Sequence, residues 1–202
     1  MKIGILCFQG DVAEHAEVVK TLGAQPIKVK YPYELEVLNG LIIPGGESTT
    51  VGALLEESGM SKAIQKRAQE GMPVWGTCMG AILMAKQFIE NSIHQPVLGI
   101  MNIKVKRNAY GRQKESFEEE ISIPALKCDS FPSVFIRAPW FEPNGSKVEI
   151  LAQYQGKPVL VKEEHLLASA FHPEIAGEPL LHKYFLEMVK TSKYSSSRGL
   201  SN

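Results

Sequence analysis

The chain has 202 residues, 44% of them hydrophobic and 22% charged, with 22 basic residues against 22 acidic ones. That length fits one ordinary domain with a real core, and the even charge offers no field for nucleic acid or an anionic membrane surface. Three scattered cysteines, Cys7, Cys78 and Cys128, form neither a disulfide framework nor a zinc-ligand spacing and suit a reducing compartment.

The opening segment Met1–Phe8 is apolar but too short for a signal peptide, and it runs directly into polar Gln9-Gly10-Asp11. No apolar stretch approaches membrane-spanning length, so a cytoplasmic protein with no membrane or nucleic-acid partner is expected. Ile3 to Phe8 reads as a strand buried on both faces, and Val12 to Leu22 as an amphipathic helix ended by Gly23. Pro26 to Lys30 and Gly40 to Ile43 follow as strands. Pro44-Gly45-Gly46-Glu47-Ser48-Thr49-Thr50 is a tight turn opening a helix, with Ser48 or Thr49 as N-cap. Pro73 to Thr77 is a fourth strand, and Ala81 to Lys86 a helix. This alternation predicts an α/β fold, an open and mainly parallel sheet with helices on both faces. In the second half Ile100–Lys106, Ser116–Ile123, Ser133–Ala138, Val148–Tyr154, Pro158–Lys162 and Leu166–Phe171 read as added mixed or antiparallel strands. Glu178 to Lys190 closes the fold as a helix, with Leu180, Leu181, Tyr184, Phe185, Met188 and Val189 on its buried side. Residues 1–190 are expected to form a single domain and the serine-rich 191–202 a disordered tail.

Between the fourth strand and its helix lies Gly76-Thr77-Cys78-Met79-Gly80. A cysteine between two glycines at a strand-to-helix corner is the thiol form of a nucleophile elbow, where the helix N-terminus favours thiolate. The same five residues also suit a buried core cysteine beside turn glycines, so a base and its orienter have to be found elsewhere. Of the five histidines, His15 and His182 fall on predicted helices, His94 in a loop and His165 beside a charged turn; all four read as solvated or merely packed. His172 follows the last apolar run, with Glu174 two residues on. In extended chain the two side chains project the same way, as an imidazole and the carboxylate that fixes its tautomer. Both segments belong at the carboxyl edge of the sheet, where open α/β folds place their sites. The Met79 N–H is one oxyanion donor offered by the corner, and the Gly45-Gly46 turn offers a second at Gly46. A phosphate cradle at that turn is disfavoured, because no lysine follows and Glu47 would repel the anion.

Taken together, Gly-Thr-Cys-Met-Gly at 76–80, Pro-Gly-Gly-Glu-Ser-Thr-Thr at 44–50 and Phe-His-Pro-Glu at 171–174 resemble class I glutamine amidotransferase domains. Leu6–Gly10, Arg107-Asn108 with Gly111-Arg112-Gln113, Ser116–Glu118 and Phe135–Pro139 are similar to the glutaminase subunits of pyridoxal 5'-phosphate synthases, over about residues 2–190. The resemblance implies hydrolysis of L-glutamine to glutamate and ammonia, with ammonia delivered to a separate synthase subunit. It implies Cys78 as nucleophile, His172 as base and Glu174 as its orienter, with Gly46, Glu47, Ser48, Arg107, Ile136 and Arg137 as glutamine contacts. No cofactor or metal is implied. The chain departs from the family pattern at Met79, usually alanine there, and at Asp11. Three other readings remain open: a glutaminase feeding another acceptor, a thiol peptidase or γ-glutamyl hydrolase, and a non-catalytic module of the same fold.

Overall fold

Strand β1 (Lys2–Leu6) pairs in parallel with a strand on each side and is buried from Ile3 onward. That is why its sequence is a continuous apolar run and not an alternation. The computed structural model describes residues 1–90, 94–110 and 116–194. The Gly111-Arg112-Gln113 segment and residues 195–202 of the serine-rich stretch lie outside them.

After β1 come α1 (Val12–Thr21), β2 (Gln25–Val29), β3 (Gly40–Ile43), α2 (Ser48–Glu57), α3 (Met60–Gln69), β4 (Val74–Thr77) and α4 (Met79–Met84). The second half contributes β5 (Ala85–Phe88), β6 (Met101–Lys106), β7 (Ser116–Ile123), β8 (Cys128–Ile136), β9 (Trp140–Pro143), β10 (Glu149–Tyr154), β11 (Lys157–Glu163), β12 (Leu166–Ser169) and α5 (Leu180–Thr191). Among the described residues the main sheet has seven strands, ordered β10-β11-β12-β4-β3-β1-β2. β12, β4, β3, β1 and β2 are parallel, while β10 and β11 join as antiparallel edge strands. Strands β5, β6 and β9 form a small side sheet, and β7 and β8 a two-stranded hairpin. The α/β fold, mainly parallel with mixed strands added, is therefore the one expected.

Chain direction reverses between β1 and β3: β1 leads outward to β2, and β3 leads the other way to β4. Ligand crevices in open α/β sheets form at such a switch point, outside the carboxyl ends of the strands. The turns after β1, β3, β4 and β12 all lie along that edge. Helices α1 and α5 meet on one face through His15 and His182, and α2 contacts both α3 and α4.

Several boundaries differ from the sequence reading. β1 stops at Leu6, and the helix after the elbow is one short element, 79–84, followed by strand β5 where Ala85 and Lys86 were assigned to helix. The N-cap of α2 is neither Ser48 nor Thr49 but Glu47, whose carboxylate accepts from the backbone N–H groups of Thr49 (3.0 Å) and Thr50 (2.8 Å). The buried side of α5 is Leu181, His182, Phe185, Leu186 and Val189, whereas Leu180, Tyr184 and Met188 are only half-buried. Each large apolar side chain buried this way contributes about 1.5–3 kcal/mol. The assigned tail is also packed further than its composition suggests: Tyr194 is buried, and Ser192 donates to the Gly71 carbonyl.

The β4–α4 corner leaves no room for side chains on its two glycines. A Cβ on Gly76 would lie within 2.7 Å of backbone atoms of Gly80 and Ala81. One on Gly80 would collide with the carbonyl oxygen of Ile43 on β3. The Gly80→Ala variant is expected to lose about 1–3 kcal/mol of stability, as overpacked cores do, measured by chemical denaturation. A variant as stable as its parent would mean that the corner has slack to absorb a methyl group.

Candidate active site

Cys78 sits at that corner with φ 48° and ψ −104°, a conformation a non-glycine residue adopts only when its surroundings impose it. Its own N–H donates to the Ser169 carbonyl of β12 at 2.8 Å, which ties the corner to the strand carrying the proposed base. Its Sγ lies 3.6 Å from the Ile136 carbonyl oxygen. Met79, the first residue of α4, has no intrahelical acceptor for its N–H, so that donor is available at the sulfur side of the corner.

β12 delivers His172. Its backbone N–H donates to the Val134 carbonyl of β8 at 2.8 Å, and its Nδ1–H donates to Glu174 Oε1 at 2.8 Å, leaving Nε2 for the thiol. All three side chains are buried, each exposed by 7% or less. Burial works against charge on His172, but its hydrogen bonds with Cys78 and Glu174 outweigh that and raise its pKa well above the ordinary 6.5. Burial also raises the Glu174 carboxyl, with the His172 hydrogen bond pulling it back. The proton therefore rests on the imidazole, which stays charged through neutral pH and loses its proton only above it.

The Gly45-Gly46 turn is shaped by its neighbours. A Cβ on Gly45 would collide with Cε1 of His172, so this glycine makes space for the imidazole. Gly10 packs against the Gly45 carbonyl so closely that it too has no room for a side chain. Gly46 takes φ 148°, and a Cβ there would stand 3.1 Å from Met79 Cε and 3.3 Å from Gln9 Oε1. The Met79 side chain, which sequence reasoning left without a role, thus packs against the Gly46 peptide. The next N–H, that of Glu47, donates to Gln9 Oε1 at 3.0 Å.

The remaining predicted contacts form a polar cluster beside this turn. Gln95 Oε1 accepts from Arg107 Nη1 (2.7 Å), Ser48 Oγ (3.2 Å) and Thr49 Oγ1 (3.3 Å), and Arg107 Nη2 lies 3.9 Å from Glu47 Oε1. Glu47 is thereby both helix cap and neighbour of Arg107, and the hydrogen bonds from Thr49 and Thr50 hold its pKa down at about 2. The Arg107 and Arg137 segments are joined by Ala109 N–H donating to the Ala138 carbonyl at 3.0 Å. Arg137 itself is exposed, with its backbone at φ 44°. Ile136 enters through its carbonyl as the acceptor facing Cys78.

Sequence reasoning missed four neighbours. Gln95 stands in a stretch without periodicity or motif, and nothing in the sequence marks it. Asp11, noted only as a departure from a family pattern, places Oδ2 3.2 Å from His172 Nδ1, a second carboxylate on the same N–H. His15 and His182, read as solvated or merely packed, are buried and in contact, with His15 Nε2 3.4 Å from Glu174 Oε2. Burial of His15 was legible in its place on the apolar side of α1; its contact with Glu174 joins residues far apart in the chain. Asp11, His172 and Glu174 each offer an atom within 4.8 Å of the others. An imidazole N–H between two carboxylates accounts for that spacing, and no metal is assigned to it.

An open, mainly parallel sheet with a cysteine elbow facing a histidine–carboxylate pair at its carboxyl edge is the architecture of class I glutamine amidotransferases. A solved structure described as a glutamine amidotransferase superposes with a TM-score of 0.87 at 47% identity, covering 94% of this chain and 99% of that one. Another glutamine amidotransferase, from Thermotoga maritima, shares the fold alone, with a TM-score of 0.62 at 13% identity over 99% of this chain and 94% of that one. Residues 5–191 match the SNO glutamine amidotransferase family, and the chain belongs to it. Among its relatives, a pyridoxal 5'-phosphate synthase subunit PdxT of Thermotoga neapolitana is 51% identical over 94% of this chain and 100% of the relative. The protein of the same name from Dehalococcoides mccartyi is 48% identical over 96% and 100%.

Replacing Glu174 by glutamine removes the anion beside His172 while burial continues to oppose its charge. The His172 titration midpoint, followed by the NMR signal of its Cε1 proton, is expected to fall from its raised value. An unchanged midpoint would assign the raised value to Cys78 and Asp11 instead.

Proposed function

We propose that this protein is the glutaminase subunit of a pyridoxal 5'-phosphate synthase, hydrolysing L-glutamine to L-glutamate and ammonia and passing the ammonia to a synthase subunit. The observation that carries the reading is the buried Cys78–His172–Glu174 set in a chain about half identical, end to end, to proteins named as that subunit. In this reading the proton carried by His172 Nε2 is the one given up by Cys78, the resulting thiolate attacks the side-chain amide carbon of glutamine, and the oxyanion is held by backbone N–H groups at Met79 and Gly46. His172, charged at neutral pH, gives its Nε2 proton to the departing ammonia and leaves a γ-glutamyl thioester. Water, deprotonated by the now neutral His172, then attacks the thioester and releases glutamate. Glu174 keeps the imidazole in the Nδ1–H tautomer throughout.

Free glutamine carries an ammonium and a carboxylate, and the cluster at the Gly46 turn offers groups for both. Glu47 is an anion at all but very acid pH, and Arg107 is a fixed cation beside it. We place Ser48, Ile136 and Arg137 at the same pocket. Three unpaired cysteines fit a cytoplasmic location, and no helix among the described residues is long and apolar enough to cross a membrane. Residues 1–190 act as one glutaminase domain.

Cys78→Ala is expected to abolish ammonia release while glutamine binding, measured calorimetrically, stays nearly intact. Turnover at the parental rate in that variant, or cleavage of peptides in preference to glutamine by the parent, would sink the reading. A free glutaminase would waste glutamine, so its activity is gated by the synthase subunit. The Gly45-Gly46 peptide is the gate: the Glu47 N–H is now held by Gln9, and reorienting a neighbouring peptide completes the oxyanion hole. The glutaminase rate is expected to rise severalfold on adding the synthase subunit, and equal rates with and without it would dispose of the gate.

A further inference from the structure

Resting on the glutaminase reading, we propose that His15 is a positioning residue for the triad: its Nε2–H holds the second oxygen of Glu174, and His182 fixes the tautomer that allows it. Glu174 divides its oxygens between two histidines. Oε1 accepts from His172 at 2.8 Å, and Oε2 faces His15 Nε2 at 3.4 Å. That oxygen is buried and has no hydrogen-bond partner among the described residues; the His15 contact is a charge–dipole approach that a small shift of either side chain turns into a bond. The side chains of His15 and Glu174 are fully shielded from solvent, so bulk water does not reach that oxygen. Burial already disfavours the carboxylate, and an anion without a donor on its second oxygen would protonate and cease to orient His172.

The proton positions follow from the partners. A lone pair on His15 Nε2 would repel Glu174, so that nitrogen carries the hydrogen. A neutral imidazole then presents its lone pair at Nδ1, which accepts from His182 Nε2 at 2.9 Å. His182 Nδ1 is left as a buried nitrogen with no hydrogen bond among the described residues. Thr77 Oγ1, 3.3 Å from His15 Nε2, shares the same hydrogen, and Trp75 closes the group edge-on against both rings. The charged or titratable groups around Glu174 are His172, Asp11 and His15, with Cys78 beyond His172 and His182 beyond His15. Burial, then His182 and His172, keeps the pKa of His15 well below the ordinary value, so it stays neutral while His172 is charged. The result is a relay from His182 through His15 and Glu174 to His172, assembled from α5, α1 and the segment after β12.

The test compares His15→Leu, which keeps bulk and removes the donor, with His15→Gln, which can return an N–H near the Nε2 position. In His15→Leu the His172 titration midpoint is expected to fall. With the synthase subunit present, kcat is expected to drop about tenfold or more while KM stays within about twofold. His15→Gln is expected to recover most of both. A Leu variant with the parental midpoint and kcat, or a Gln variant no better than Leu, would overturn the proposal. Should His15→Leu fail to fold, 15N spectra of the unmodified protein decide: His15 protonated at Nε2 supports the relay, and His15 protonated at Nδ1 overturns it. Tautomer and titration are read without glutamine, so loss of the glutaminase reading would show separately, as absent turnover in the parent.

Discussion

Cys78 can hold a positive φ only because backbone approaches backbone at the β4–α4 corner with no side chain between. Gly76 lies against the Gly80–Ala81 backbone, and Gly80 against the Ile43 carbonyl of β3. These contacts pull the first turn of α4 onto the end of the sheet and turn the sulfur out of the strand direction toward the site. The same close approach recurs across the edge: Gly10 meets the Gly45 carbonyl, and Gly45 meets the His172 ring. Four loops from four strands are therefore locked by sterics before any charge acts, and the geometry of the site comes from the sheet itself.

Electrostatics then operates within that frame. Burying an imidazole and a carboxylate side by side is costly unless each hydrogen-bonding position is filled. His172 is filled on one side by the thiol and on the other by Glu174, with Asp11 close by, and so carries its charge despite burial. The polar cluster beside the Gly46 turn behaves differently. Ser48, Thr49 and Arg107 are tied through a single acceptor, Gln95 Oε1, near the surface, and Glu47 lies beside Arg107. Surface ion pairs of this kind add little stability.

What could be read from sequence follows the range of the interactions. Elements with a strong local signal were visible: the apolar run of β1, the Gly-x-Cys-x-Gly corner, the alternation that puts His172 and Glu174 on one side. Strand β5 was not, because Ala85–Phe88 continues an apolar helix without a breaker and becomes a strand only by pairing with β6. The N-cap of α2 lies one or two residues before the expected Ser48 or Thr49, since the longer Glu47 side chain reaches forward to cap the first-turn N–H groups. In the site, the placement of residues tied to a motif was legible, whereas Asp11, His15, His182 and Gln95 join it through contacts across long sequence separations. For His15 and His182 the types were in view, yet a histidine on a helix says nothing of which histidine on another helix it will meet.

The carbonyls of Val134 and Ile136, two residues apart on β8, point to the same edge of the hairpin, away from β7. The Val134 carbonyl accepts from the backbone of His172, and the Ile136 carbonyl lies against the sulfur of Cys78. An exposed strand edge is ordinarily a template for another chain, and proteins blunt it with charge, proline or a bulge. Here part of the edge is occupied by the site itself. The hairpin can stay two-stranded without inviting a third strand along that stretch, so the groups arranged for chemistry also guard the fold against aggregation.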